Sequence, residues 1–274
     1  LGGADAKDMV ADTNTDALPW RTPDVLPWRT RGTRITPAGF VPPRTRFGHA
    51  ERSVRIPFSR VQARASVGLT ASKLTSAHAY AIATADYSAL GPIRASAQLT
   101  YLPFVARAVA LALQEFRELN AVTDGEDISP SDHVHLGIAV DLAHQGLVVP
   151  VVRDAEHHTV RGLGIAIADV ATRARSKQLL PDEVVGGTFT ITNPGGLGTH
   201  WSFPIINQPQ VAILSTDGVR KRVVANEAGD GLAIRSIGSL GLGYDARAVH
   251  PARAAAFLHR VAELIAILDW QSQL

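Results

Sequence analysis

Residues Gly187–Leu214 read GTFTITNPGGLGTHWSFPIINQPQVAIL. The opening run, Thr188–Thr192 (TFTIT), alternates with the period of two that marks a half-buried strand. NPGG follows at once, and a Pro-Gly-Gly cluster stops a strand and turns the chain. Val211–Ser215 (VAILS) is then a second short apolar run of strand length. Strand, sharp turn and strand in close succession make a sheet the frame of this chain.

Working outward, the sequence predicts further strands at Ser53–Phe58, Ala79–Ala85, Val134–Asp141, Gly146–Val152 and Ile237–Gly243. Helical spacing predicts helices at Ser59–Leu74, Pro103–Leu119, Thr159–Lys177 and Pro251–Leu268. Two of these helices start with proline, which suits a first turn because the missing N–H would be unpaired there anyway. Strands and helices are mixed without a regular βαβ repeat. That predicts an α/β two-layer sandwich of about 220 residues.

The chain has 274 residues with 46% hydrophobic and 19% charged, enough apolar material for a sizeable core. It has no Cys, which excludes a thiol nucleophile, a cysteine–zinc site and a redox pair. Net charge is only +2 with no dense basic run, so a nucleic-acid partner is not expected. No long apolar run or signal-peptide pattern is present, so no membrane partner is expected and a cytoplasmic location is the default. No G-x-S-x-G elbow is present, which argues against a serine hydrolase.

Residues 1–50 differ from the rest. Ala17–Arg46 is rich in Pro, Arg and Thr, and LPWRT occurs at Leu18–Thr22 and again at Leu26–Thr30. Two readings stand side by side. One is an arm that lies on a neighbouring surface with Trp20 and Trp28 as anchors, and the other is an ordinary disordered leader. The expected organisation is an irregular arm over 1–50 and a catalytic domain over 51–274.

Three segments carry a resemblance. They are His135–Ala155 (HLGIAVDLAHQGLVVPVVRDA), Gly187–Leu214 and Leu242–Leu258 (LGYDARAVHPARAAAFL). Together they resemble the catalytic domain of the 2-oxo acid dehydrogenase acyltransferases, the dihydrolipoamide acyltransferase family. That family shares its fold with chloramphenicol acetyltransferase. The likeness runs from about Arg52 to the C-terminus, and the resemblance implies the chloramphenicol acetyltransferase-like fold here.

The family signature, D-H-R-x-x-D-G, falls on Asp245-Ala246-Arg247-Ala248-Val249-His250-Pro251. Asp245 and Arg247 match. Ala246 stands where the catalytic histidine belongs, His250 replaces the later Asp, and Pro251 replaces the Gly. Acyl transfer needs a base to take the proton of the attacking group, and imidazole suits that because it titrates near neutrality. A methyl group cannot do it. The resemblance assigns oxyanion donation to Thr192, with Asn193 beside it, although a strand-end residue starting a turn would look the same. It also implies a substrate-lining place for His78, Gly195 and Gly196, with a packed histidine beside a strand as the alternative for His78.

His250 offers a weak substitute for the base, since a histidine flanking a helix is more often structural. Its change from Asp is also expected to remove a carboxylate–Arg pair that braces the motif. His133, His135, His157 and His158 show no metal-ligand spacing with a carboxylate, so no metal is expected.

Two explanations of Ala246 compete. The retained Asp245, Arg247, Thr192 and Asn193 favour an active acyltransferase with one edited position. The changes at His250 and Pro251 favour a naturally non-catalytic scaffold or binding subunit of a 2-oxo acid dehydrogenase-type complex. The first is preferred here.

Only about 50 residues precede the resemblance, fewer than the roughly 80 of a lipoyl domain, which points to a lone catalytic domain. The expected reaction moves an acetyl group from acetyl-CoA, a cosubstrate and not a tightly bound cofactor, to a small-molecule hydroxyl, with a carrier protein as the alternative donor. A tetronate intermediate of polyketide biosynthesis is the favoured acceptor, through stand-alone relatives of the family. The resemblance further implies a homotrimer or a higher trimer-based assembly, with the 246 loop of one chain facing Thr192 of the next.

Overall fold

The computed structural model describes residues 56–274, except 144, 227, 228 and 230. The arm, its LPWRT repeats and the first part of the strand expected at Ser53–Phe58 lie outside the described residues. Ile56, Pro57 and Phe58 are irregular, with both Ile56 and Phe58 exposed, so no strand forms there.

The chain then runs α1 (Arg60–Thr75), β1 (His78–Asp86), α2 (Leu90–Ala97) and α3 (Leu102–Glu115). Ser59 caps α1 reciprocally: its hydroxyl accepts from the Gln62 N–H and the Gln62 side chain accepts from the Ser59 N–H. α2 is a helix that the sequence did not suggest, because Gly91 and Pro92 disguise its first turn. α3 ends earlier than expected, where Phe116 leaves helical geometry.

Short strands follow: β2 (Ala121–Thr123), β3 (Ile128–Pro130), β4 (Leu136–Ile138), β5 (Val140–Asp141), β6 (Leu147–Val148) and β7 (Val151–Val152). The last elements are α4 (Val160–Arg175), β8 (Phe189–Thr192), β9 (Ala212–Thr216), β10 (Arg220–Ala225), β11 (Leu232–Asp245) and α5 (Pro251–Ile267). The expected strands Val134–Asp141 and Gly146–Val152 each divide into two pieces, which join different sheets.

The main sheet is mixed and has seven strands, in the order β1-β11-β9-β8-β4-β7, with β10 paired to the first half of β11. β8 lies parallel to both β4 and β9, and the other pairs are antiparallel. α3 packs between α4 and α5; α5 lies on β1 and β11, and α4 on β7. This is the expected two-layer α/β sandwich.

The core lies between the layers. Phe257 of α5 meets Phe189 of β8 and Phe116, both at 5.8 Å between ring centres, and Phe104 meets Trp270 at 5.2 Å. Each fully buried side chain of this size contributes roughly 1.5–3 kcal/mol. Alanines at 106, 108, 110 and 112 of α3 are wholly buried and let its neighbours approach closely.

Candidate active site

The corner between β11 and α5 holds Asp245, Ala246, Arg247 and His250. β11 ends at Asp245 because the chain folds back on itself: the N–H groups of Ala248 and Val249 both donate to the Asp245 carbonyl. The Asp245 N–H donates to Val211 O at 2.9 Å and the Ala246 N–H to Ala77 O at 2.9 Å, so the backbone is held from both sides. Ala246 itself is exposed.

The Asp245 side chain is 1% exposed and that of Arg247 45%. Arg247 Nη2 donates to Asp245 Oδ2 at 2.6 Å and its Nε to Oδ1 at 2.9 Å; the Arg247 and Ala77 N–H groups add bonds at 3.1 and 3.3 Å. Burial works to raise the Asp245 carboxyl, but the Arg247 guanidinium and the backbone donor outweigh it and hold the group below the usual carboxylate range. With histidine at 250 no carboxylate stands at that position, and the guanidinium of Arg247 is paired with Asp245.

His78 starts β1 and pairs in register with Asp245. Its Nε2 accepts from the Ile206 N–H at 3.1 Å, which makes Nδ1 the protonated nitrogen, 3.2 Å from Ser76 O. Burial lowers its affinity for a second proton, the Ser76 carbonyl opposing only in part. Both ring nitrogens are thus bound to backbone, and His78 ties β1 to the 206 segment. His250 is the N-cap of α5, with Nδ1 accepting from the Ala252 N–H at 3.2 Å. On this corner one ring nitrogen of each imidazole already accepts from a backbone N–H.

Thr192 ends β8 opposite Ser215 of β9. No described residue hydrogen-bonds its hydroxyl. Asn193 is exposed, and its Oδ1 accepts from the Gly195 N–H at 3.2 Å. Register shows what these residues form. Asp245 meets β9 beside Val211 and Thr192 meets it at Ser215, on the opposite flank. Four residues along a strand and two strand spacings across separate them by roughly 16 Å. Within one chain, Ala246 and Thr192 do not share a site.

Gly195 and Gly196 differ in what surrounds them. A Cβ on Gly195 would lie 2.7 Å from the Asp217 carbonyl carbon and 2.9 Å from Gly218 N, whereas one on Gly196 meets nothing within 4 Å. Gly195→Ala is expected to cost about 1–3 kcal/mol, because backbone must move. Gly196→Ala should stay within about 0.5 kcal/mol. Urea unfolding of the two variants checks the contrast, and equal losses would remove the packing account of Gly195.

One cluster was hidden in the sequence. His133, Glu156 and His157 bring ligand-capable atoms within 4.8 Å of one another. The expectation that no histidine here has a carboxylate at ligand distance is corrected. The partners are 23 residues apart in the chain, so only strand pairing reveals them.

Comparison with known proteins agrees with this fold. The dihydrolipoyllysine-residue acetyltransferase component of the pyruvate dehydrogenase complex from Mycobacterium bovis is 45% identical over 179 residues, covering 62% of this chain and 32% of that relative. The chain therefore spans about a third of that relative's length. A dihydrolipoamide acetyltransferase structure from Azotobacter vinelandii superposes with a TM-score of 0.78 at 30% identity, covering 85% of this chain and 99% of that one. That enzyme was studied for the catalytic role of a serine, a histidine and an asparagine. The cubic core of a pyruvate dehydrogenase multienzyme complex gives a TM-score of 0.77 at 30% identity over 84% and 97% of the two chains. Matched over residues 50–271 to the 2-oxoacid dehydrogenases acyltransferase family (catalytic domain), the chain belongs to that family.

Proposed function

We propose that this chain is a core-building subunit of a 2-oxo acid dehydrogenase-type complex whose acyl-transfer step is disabled at position 246. The observation that carries the reading is the methyl group of Ala246 on a corner where both nearby imidazoles are committed to backbone N–H groups. In the Azotobacter enzyme the named histidine and asparagine stand four residues apart, as Ala246 and His250 do here, and Thr192 supplies a hydroxyl like that of its serine.

The transfer that this frame suits is thioester exchange between a dihydrolipoyl thiol and coenzyme A. A base at 246 takes the proton of the attacking thiol, and the sulfur attacks the acyl carbonyl. Thr192 donates to the oxyanion, and the second thiol leaves with a proton. The relatives' chemistry makes dihydrolipoyl the proposed acyl carrier, and the tetronate acceptor expected from the sequence gives way to it.

The separation of Ala246 and Thr192 supports a site that takes its halves from two chains, and the likeness to a multienzyme core supports building that assembly on trimers. Cubic symmetry, as in the pyruvate dehydrogenase core, contains threefold axes. Trp201 (61% exposed) and Phe203 (59%) flank an open groove with Ile82, and Val223 and Ile234 stand exposed on the β10–β11 ribbon. An apolar surface of this kind suits a contact between subunits.

The test is the mass and activity of the purified chain. Expected are particles built in multiples of three that exchange acetyl groups between acetyl-CoA and dihydrolipoamide no faster than the background. A stable monomer, or rapid exchange with Ala246 in place, would overturn the proposal.

A further inference from the structure

We propose that His133, Glu156 and His157 form a zinc site at the edge of the sheet, apart from the acyl-transfer corner. Val134 points into the core, so His133 and His135 on either side of it share one face, with rings stacked at 6.2 Å and 12°. The antiparallel pairing of β4 with β7 puts residues 154–157 opposite them, and the Ala155 N–H donates to Val134 O at 2.8 Å.

Glu156 is the fixed member. Its side chain is 3% exposed; Oε2 accepts from the Val134 N–H at 3.0 Å and Oε1 faces His133 Nδ1 at 3.0 Å. Its carbonyl accepts from Arg107 Nη1 at 2.7 Å, which anchors the turn to α3. The imidazoles of His133 and His157 are exposed, so they can turn to a metal without disturbing the core.

The dimensions fit. Tetrahedral zinc with bonds of roughly 2.0–2.1 Å needs ligand atoms about 3.3 Å apart. His133 and Glu156 are already near that, and the whole set is within 4.8 Å. Two imidazoles and one carboxylate, in a chain without Cys, suit a divalent ion of zinc type and leave its fourth position to water. Asp154 Oδ1 lies 3.6 Å from His133 Nδ1 and 3.7 Å from His135 Nδ1, which adds negative charge beside the cluster. His135 Nδ1 accepts from the Asp154 N–H at 3.1 Å and is not counted as a ligand. Leu136 lies in register with Phe189, and so with Tyr244 three strands away, which separates the cluster from Ala246 by ~14 Å or more.

The experiment titrates the chelator-treated full chain with Zn2+ alone by isothermal calorimetry, and follows Tm against Zn2+ concentration. One Zn2+ should bind per chain and Tm should rise with it. His133→Gln or His157→Gln should each weaken binding more than about tenfold, and the double variant should lose both the heat and the Tm rise. Exposed His259→Gln should change neither. Glu156→Gln tests the third ligand; should it fail to fold, the two exposed histidine variants still decide. Zinc binding of unchanged affinity and stoichiometry in the folded double variant, or no binding by the parent chain, would overturn the site.

Discussion

Replacing Ala246 with histidine is expected to raise exchange of the acetyl group between coenzyme A and dihydrolipoamide by about 10²–10⁴-fold, the usual contribution of a positioned base. The corner is ready for it. The backbone at 246 is pinned by Ala77 O, the preceding carboxylate is held by Arg247, and the side chain at 246 meets solvent and not core. Adding Thr192→Ala to the histidine variant should then cost about 10²–10³ in rate, as for loss of an oxyanion donor. Register adds a sharper arm. Because Ala246 and Thr192 flank opposite ends of β9 in one chain, a subunit carrying both Ala246→His and Thr192→Ala should alone run slower than Ala246→His by that factor. It should regain activity when refolded together with the parent chain, which lacks the base but supplies Thr192. Regained activity in the mixture shows a site shared between chains. A folded Ala246→His variant that stays at background would remove position 246 as the site of the base.

Much of this frame is legible in the residues, and where it is not the physics says why. The alternating TFTIT run and the long apolar helices carry their own period, so β8, β9, α3, α4 and α5 fall where pattern puts them. β10 reads RKRVVA and draws its strand character from pairing with β11, not from local pattern. The Asp245-Ala246-Arg247 corner was readable because its residues are adjacent in the chain. Two things depend on tertiary register and were not. One is the distance between Ala246 and Thr192, and the other is the meeting of His133 with Glu156 across the β4–β7 pair. The roles of His78 and His250 also needed structure, because only the backbone N–H each accepts shows which nitrogen is occupied.

The brace beneath position 246 should respond unequally to loss of its two halves. Arg247→Met leaves a carboxylate that is 1% exposed with neutral donors alone, and breaking a buried pair in that direction costs about 3–5 kcal/mol. Asp245→Asn leaves a guanidinium that is 45% exposed and can turn to water, while the amide oxygen still accepts from Ala77 and Arg247 N–H; a cost of about 1–3 kcal/mol is expected. Acid separates this account from simple loss of packing. In the parent chain the folded Asp245 carboxyl is held below its unfolded value of about 3.9, so its stabilisation is complete above that pH and is lost as pH falls through the lower folded value. In Arg247→Met burial acts without the cation and the folded carboxyl moves up. That variant is then most stable when the group is protonated, and it loses stability as pH rises through the same region. The gap between parent and Arg247→Met should therefore be wide in urea unfolding near neutrality and shrink toward about pH 4 and below. A gap that stays constant with pH would mean that Arg247 acts by packing alone, and Asp245→Asn costing more than Arg247→Met would reverse the assignment of which partner is buried at the expense of the other.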